Sequence, residues 1–206
     1  MTPKYSIALI AFIVLFSSVD TLTTTTEAQA VRGNRAKRTT RVVKRHRTAH
    51  KVHRRVTRRA HLHYHGLPLY RKPIAVVPTT AVVVSRDANR YHYHDGIFYR
   101  SDKTGFVVVR PARGIRVRVL PARHRRVVVG KRTYFYYYGV YYQKPANSDE
   151  HEVVDAPVGA LVDALPEGYN VKEVDGTEYY EFEGDYYQEI ESDEFESGVG
   201  YEVVKI

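Results

Sequence analysis

Tyr134-Phe-Tyr-Tyr-Tyr-Gly139-Val-Tyr-Tyr142 is the stretch on which the fold of this chain turns. Tyrosine, phenylalanine and valine suit a pleated, half-buried surface. A glycine in the middle supplies the positive φ that a tight hairpin requires. The stretch therefore predicts two short antiparallel strands joined at Gly139. It also recurs: Tyr91-His-Tyr-His-Asp-Gly96-Ile-Phe-Tyr99 precedes it and Tyr179-Tyr-Glu-Phe-Glu-Gly184-Asp-Tyr-Tyr187 follows, with glycines 43 and 45 residues apart. A fixed period of this length is the signature of a repeat protein.

The segments between the tyrosine blocks repeat in register as well. Val108-Val109-Arg-Pro-Ala-Arg-Gly114-Ile-Arg-Val117-Arg-Val-Leu120-Pro121 returns 45 residues later as Val153-Val154-Asp-Ala-Pro-Val-Gly159-Ala-Leu-Val162-Asp-Ala-Leu165-Pro166. The third copy ends short, in Gly200-Tyr-Glu-Val203-Val204. Within one unit, Asn170 to Val174, Thr177 to Phe182 and Asp185 to Ile190 read as three strands turning at Gly176 and Gly184. Gly96 and Gly139 hold the corresponding turn in the other copies. Prolines cannot donate to a central ladder, so the Pro-x-x-Gly and Leu-Pro elements read as crossovers between meanders. The predicted fold is all-β, with tandem small antiparallel meanders as SH3-like barrels or stacked short sheets. Units fall at about 80–125, 126–168 and 169–206. Alternation along a strand turns every second ring inward, which puts about half the tyrosines in the core. Consecutive rings such as Tyr136-Tyr137-Tyr138 are expected to leave some phenols outside.

Upstream, Ile7 to Phe16 is an apolar run behind Lys4, too short to span a bilayer but suited to the centre of a secretory signal. Ala28-Gln29-Ala30 follows at the right distance. The chain thus reads as residues 1–30 signal peptide, 31–75 basic arm and 76–206 β-repeat region, exported with cleavage after Ala30 to the periplasm or outer envelope. No later run is apolar enough to form a transmembrane segment. With no cysteine, disulfides, thiolate metal sites, thiol nucleophiles and an acylated N-terminal cysteine are all excluded.

Charge is segregated. Val31 to Ser148 carries 29 Lys and Arg against three acids, whereas Asp149 to Ile206 carries 18 acids against two lysines. Val31 to Lys72 has no acid at all and few apolar residues, the composition of a disordered or partly helical arm. Its candidate polyanion-binding residues are Arg41, Lys44, Arg45, Arg47, Arg54, Arg55, Arg58 and Arg59. Charge alone also suits nucleic acid, but export points to an anionic envelope polymer or lipid head groups. The arm can equally neutralise the protein's own acidic half, or a neighbour's, which permits self-association through opposite-charge ends.

His61, His63 and His65 alternate, so an extended strand would present three imidazoles on one face to a metal ion. A weak metal-binding role is therefore one alternative, although no carboxylate lies near in sequence to orient the rings. The other reading of these residues is a histidine-rich end of the arm that gains charge at low pH. The sequence contains no Gly-x-Ser-x-Gly, His-Glu-x-x-His or phosphate-loop motif, and no cofactor is implied. A non-enzymatic envelope protein for binding or assembly is the first expectation. A peptidoglycan- or glycan-binding SH3-like module, using exposed tyrosines, is the second.

The order Tyr-Tyr-Tyr-x-Gly-x-Tyr-Tyr, Val-Val-x-x-Pro-x-Gly-x-x-Val-x-x-Leu-Pro-x-Gly-Tyr, x-Gly-x-x-Tyr-Tyr resembles domain-of-unknown-function family 6515, exported gammaproteobacterial proteins. The match runs from about Tyr91 to Ile206 and is best at Ala156 to Tyr169. The first copy departs from the pattern, with Arg and His in place of small or acidic residues. The resemblance implies export and a β repeat, and carries over no catalytic residue.

Overall fold

A computed structural model describes residue 60 and residues 64–206. The signal segment, the cleavage point, the polyanion-binding residues Arg41 to Arg59, and His61 and His63 lie outside the described residues.

Fifteen strands form three five-stranded antiparallel sheets, one per repeat. The first contains β1 (Pro73–Ile74), β2 (Val82–Arg86), β3 (Asn89–His94), β4 (Ile97–Asp102) and β5 (Gly105–Val108), in the order β1-β5-β4-β3-β2. The second contains β6 (Arg116–Val117), β7 (Arg125–Val129), β8 (Arg132–Tyr137), β9 (Val140–Gln143) and β10 (His151–Val154). The third contains β11 (Leu161–Val162), β12 (Asn170–Val174), β13 (Thr177–Phe182), β14 (Asp185–Glu191) and β15 (Val199–Val204). All three share one order, with the short first strand beside the last. The first and second strands of each sheet do not pair, so these are open sheets and not SH3-like barrels.

Two details differ from the sequence reading. The Pro-x-x-Gly elements are not plain crossovers, because each leads into a two-residue strand. Gly114 N–H donates to Val153 O and Val153 N–H to Ile115 O; 45 residues later Gly159 N–H donates to Val203 O and Val203 N–H to Ala160 O. Proline on either side, at Pro111 and Pro121, keeps the pairing this short. The third copy is also not cut short. Its terminal strand β15 pairs with both β11 and β14, completing the same five-stranded set.

The larger correction concerns Tyr136, Tyr137 and Tyr138, all of which are buried. Pleating does send neighbouring rings to opposite sides, but both sides are covered. The Tyr137 ring lies under Gly96 and beside Pro121, at the hairpin of the first sheet. Tyr138 occupies the turn itself, at φ 44°, and packs against Tyr64 and Tyr70, with ring centroids 4.8 and 5.1 Å away. Its hydroxyl donates to Pro68 O at 3.0 Å, and Tyr70 returns a bond to Tyr138 O at 2.6 Å. Among the described tyrosines none is exposed; Tyr64, Tyr169, Tyr179 and Tyr186 are half-buried and the others buried.

The junctions between sheets repeat too. Gly96 sits against Tyr137 and Pro121, and Gly139 against Phe182 and Pro166. Tyr93 donates its hydroxyl to Val119 O, and Tyr136 donates to Ala164 O. The third sheet reaches back to the first, where Arg110 pairs with Asp185 and Arg71 with Glu183. Each sheet therefore touches both others. Charge segregated along the chain becomes pairing within and between the sheets. Arg113–Asp155, Arg116–Glu152 and Arg125–Asp163 likewise join the basic stretch to the acidic one.

The hydroxyls of this tyrosine core are not equal in value. Tyr136 is bonded, whereas the buried Tyr142 hydroxyl has no partner among the described residues. Tyr136→Phe should therefore cost about 1 kcal/mol, by removing the shorter of two hydroxyl bonds to the Ala164 carbonyl, which Tyr64 also reaches at 3.3 Å, while Tyr142→Phe should be neutral or stabilising. Urea midpoints of the two variants check this.

Candidate functional site

Where β2 of the first sheet runs beside β6 of the second, the surface opens into a cleft of about 930 Å³. Its formation follows from the edge positions of both strands. β2 is the last strand of its sheet and β6 the first of the next, so neither has a ladder partner on the facing side. Val82 and Val119 line the cleft and are exposed, at 56% and 73%. Tyr93 lies beneath, held by its bond to Val119 O at 2.7 Å. Burial pushes the Tyr93 phenol well above its ordinary pKa, so it stays a neutral donor there.

Three guanidinium groups stand along the walls. Arg86 lies over Gly114, where any side chain would displace it, and is 3.9 Å from Glu152. Arg116 meets the same carboxylate at 3.0 Å, and Arg118 is 3.6 Å from Glu150 while remaining 87% exposed. His94, Asp95 and Glu150 complete the polar lining. The His94 Nδ1 is 3.0 Å from the Thr80 hydroxyl. Arg86, Arg116 and Arg118 stand against three carboxylates, Asp95, Glu150 and Glu152, beside an apolar floor, and Arg118 is the guanidinium left most open to a further anionic group.

Of the histidine cluster, only His65 is described, and it is exposed. Among the described residues no group of three or more His, Cys, Asp or Glu side chains is placed to hold a metal ion. His92 packs edge-on against Phe106 and His124 against Phe135, both in packing roles. The turn glycines Gly96, Gly139, Gly176 and Gly184 all have φ between 82° and 88°. No helix among the described residues is long and apolar enough to cross a membrane.

Sequence reading did not single out the cleft, because Arg116 and Arg118 stand in a segment whose prolines suggest a crossover. A signal was available in the repeat alignment itself. Register pairs Arg116 with Glu152 and Leu161 with Glu202, making Arg116 the counterpart of Leu161 and Arg118 that of Asp163. A cation replacing an apolar residue, and another replacing an acid, mark the place where the two junctions have diverged.

The sequence pattern of a family of unknown function, DUF6515, matches residues 20–206, which takes in all three sheets. The chain belongs to this family. No curated protein and no solved structure matches it. Membership of DUF6515 thus brings no activity with it, and the functional reading rests on the chain's own residues.

Proposed function

We propose that this member of DUF6515 is a non-enzymatic protein of the cell envelope, exported with removal of residues 1–30. Its sheets serve binding or assembly, and its cationic arm holds it to an anionic polymer or to lipid head groups. The observation that carries this reading is where the positive charge is left over. Residues 73–206 hold 16 Lys and Arg against 21 acids, and many of these pair with one another, within a sheet or between two. The excess cation of the chain therefore belongs to residues 31–72, with 15 Lys and Arg and no acid. Sugar stacking on exposed tyrosines has less support, since no described tyrosine is exposed.

Co-sedimentation of the mature chain with phosphatidylglycerol vesicles, against phosphatidylcholine vesicles, tests the proposal. Binding to the anionic vesicles alone is expected, falling steeply between about 50 and 500 mM salt as the screening length shortens. Replacing Arg41, Lys44, Arg45, Arg47, Arg54, Arg55, Arg58 and Arg59 together by Gln should abolish it. Binding that ignores both salt and these substitutions would overturn the reading.

A further inference from the structure

The cleft at the first junction has a counterpart at the second, and there the same place is filled from within the chain. Phe195, in the hairpin between β14 and β15, is buried against Leu161 and Gly200. The guanidinium of Arg125 lies 4.2 Å from the centre of its ring. That guanidinium also meets Asp163 at 3.8 Å and Glu194, the residue preceding the ring, at 3.7 Å.

Strand register identifies the corresponding residues at the first junction. Val82 pairs with Tyr93 as Arg125 pairs with Tyr136, so Val82 stands for Arg125. Arg116 stands for Leu161 and Glu152 for Glu202, which places Arg118 at Asp163 and Glu150 at Gly200. All four counterparts, Val82, Arg116, Arg118 and Glu150, line the open cleft. What differs is the covering hairpin. Between Gln188 and Glu202 the third sheet has thirteen residues, 189–201, including Phe195; between Gln143 and Glu152 the second has eight, 144–151, with no Phe or Tyr. The shorter hairpin carries no phenyl or phenol ring to fill the cleft, and its one imidazole, His151, packs against Phe135.

We infer that the β2–β6 cleft receives an aromatic side chain flanked by carboxylates, supplied by an acidic peptide segment of another protein. This rests on the reading of the sheets as the binding or assembly part of the molecule. The ring would pack on Val82, the counterpart of the Arg125 that lies under Phe195, and on Val119 over Tyr93. It would sit beside the Phe195 position and not in it, because Glu150 replaces the Gly200 against which Phe195 lies. The flanking carboxylates would meet Arg118, whose side chain is the most exposed of the three guanidinium groups, and Arg86. The chain's own arm is not a suitable occupant by charge, since Val31 to Lys72 has no acid.

The probe is a fluorescent peptide with the sequence of residues 191–197, Glu-Ser-Asp-Glu-Phe-Glu-Ser, titrated with the mature chain and followed by anisotropy. Saturable binding is expected, weakened about tenfold or more when the peptide Phe is replaced by Ala, a loss on the scale of one buried ring. Val82→Glu and Arg118→Glu should each weaken it about tenfold with an unchanged thermal midpoint, both side chains being exposed. No binding, equal affinity for the Ala peptide, or indifference to both substitutions would overturn the inference. Measuring vesicle binding on the same samples separates the two ideas. Retained vesicle binding without peptide binding defeats this inference alone, and the converse defeats the arm reading alone.

Discussion

Raising the pH above 10 should unfold this protein abruptly, with its tyrosines ionising together and not one by one. Tyr70, Tyr136, Tyr141, Tyr142 and Tyr187 all have phenol pKa values driven upward by burial. A phenol whose folded pKa is raised contributes stability that is fully present below the unfolded value, near 10, and is lost as pH climbs towards the folded one. In that window the folded state holds protons the unfolded chain releases, so each group removes about 1.4 kcal/mol per pH unit. Five such groups together remove roughly 7 kcal/mol per pH unit, against a total stability of about 5–15 kcal/mol for a typical domain. The fold should therefore fail within about two pH units of the onset. Tyrosinate absorbance near 295 nm and far-ultraviolet circular dichroism, followed on one titration, should show coincident steep transitions. A gradual rise in absorbance with the β signal intact would show that the rings reach solvent without unfolding.

The second large effect belongs to Gly139, and Gly184 is its internal control. Both lie in hairpin turns with left-handed φ, at 82° and 88°. A Cβ on Gly139 would run into the Phe182 ring and come within 3.2 Å of Pro166. The ring cannot step aside, because it is buried and held edge-on by Tyr70 at 4.9 Å. A Cβ on Gly184 would meet nothing within 4 Å. Gly184→Ala should thus cost only the conformational term, roughly 1–2 kcal/mol. Gly139→Ala should add the displacement of a packed ring, for about 3–5 kcal/mol in all. Urea denaturation of the two variants gives the difference directly. Equal losses would mean that the second and third sheets are not locked at this turn.

How much of the fold is visible in the chain depends on the range of the interaction responsible. Strand propensity, the glycine turns and the 45-residue period are local, and together they are enough to announce an all-β repeat. The two-residue strands were not legible, because they pair with strands roughly 35–40 residues away. Their prolines advertise only where the pairing must stop. Tyr136, Tyr137 and Tyr138 make the same point from the core. Periodicity states that adjacent rings face opposite ways, but only the docking of Gly96 and of the Tyr64–Tyr70 segment determines that both directions lead inward.

The cleft belongs to the same category. Its arginines are plain in the sequence, yet they form one wall only because β2 and β6, roughly 30 residues apart, are left side by side as edges of different sheets. By itself the sequence determined the repeat, the turns, the absence of thiol chemistry and the separation of positive from negative charge, since each follows from residues close together. The tertiary structure decided that separated charges meet as pairs, within sheets and between them. It also decided that the tyrosines form a core and not a surface, and that one junction is filled by Phe195 while the other stands open. Those outcomes depend on which faces are covered, and burial is settled only when distant segments pack.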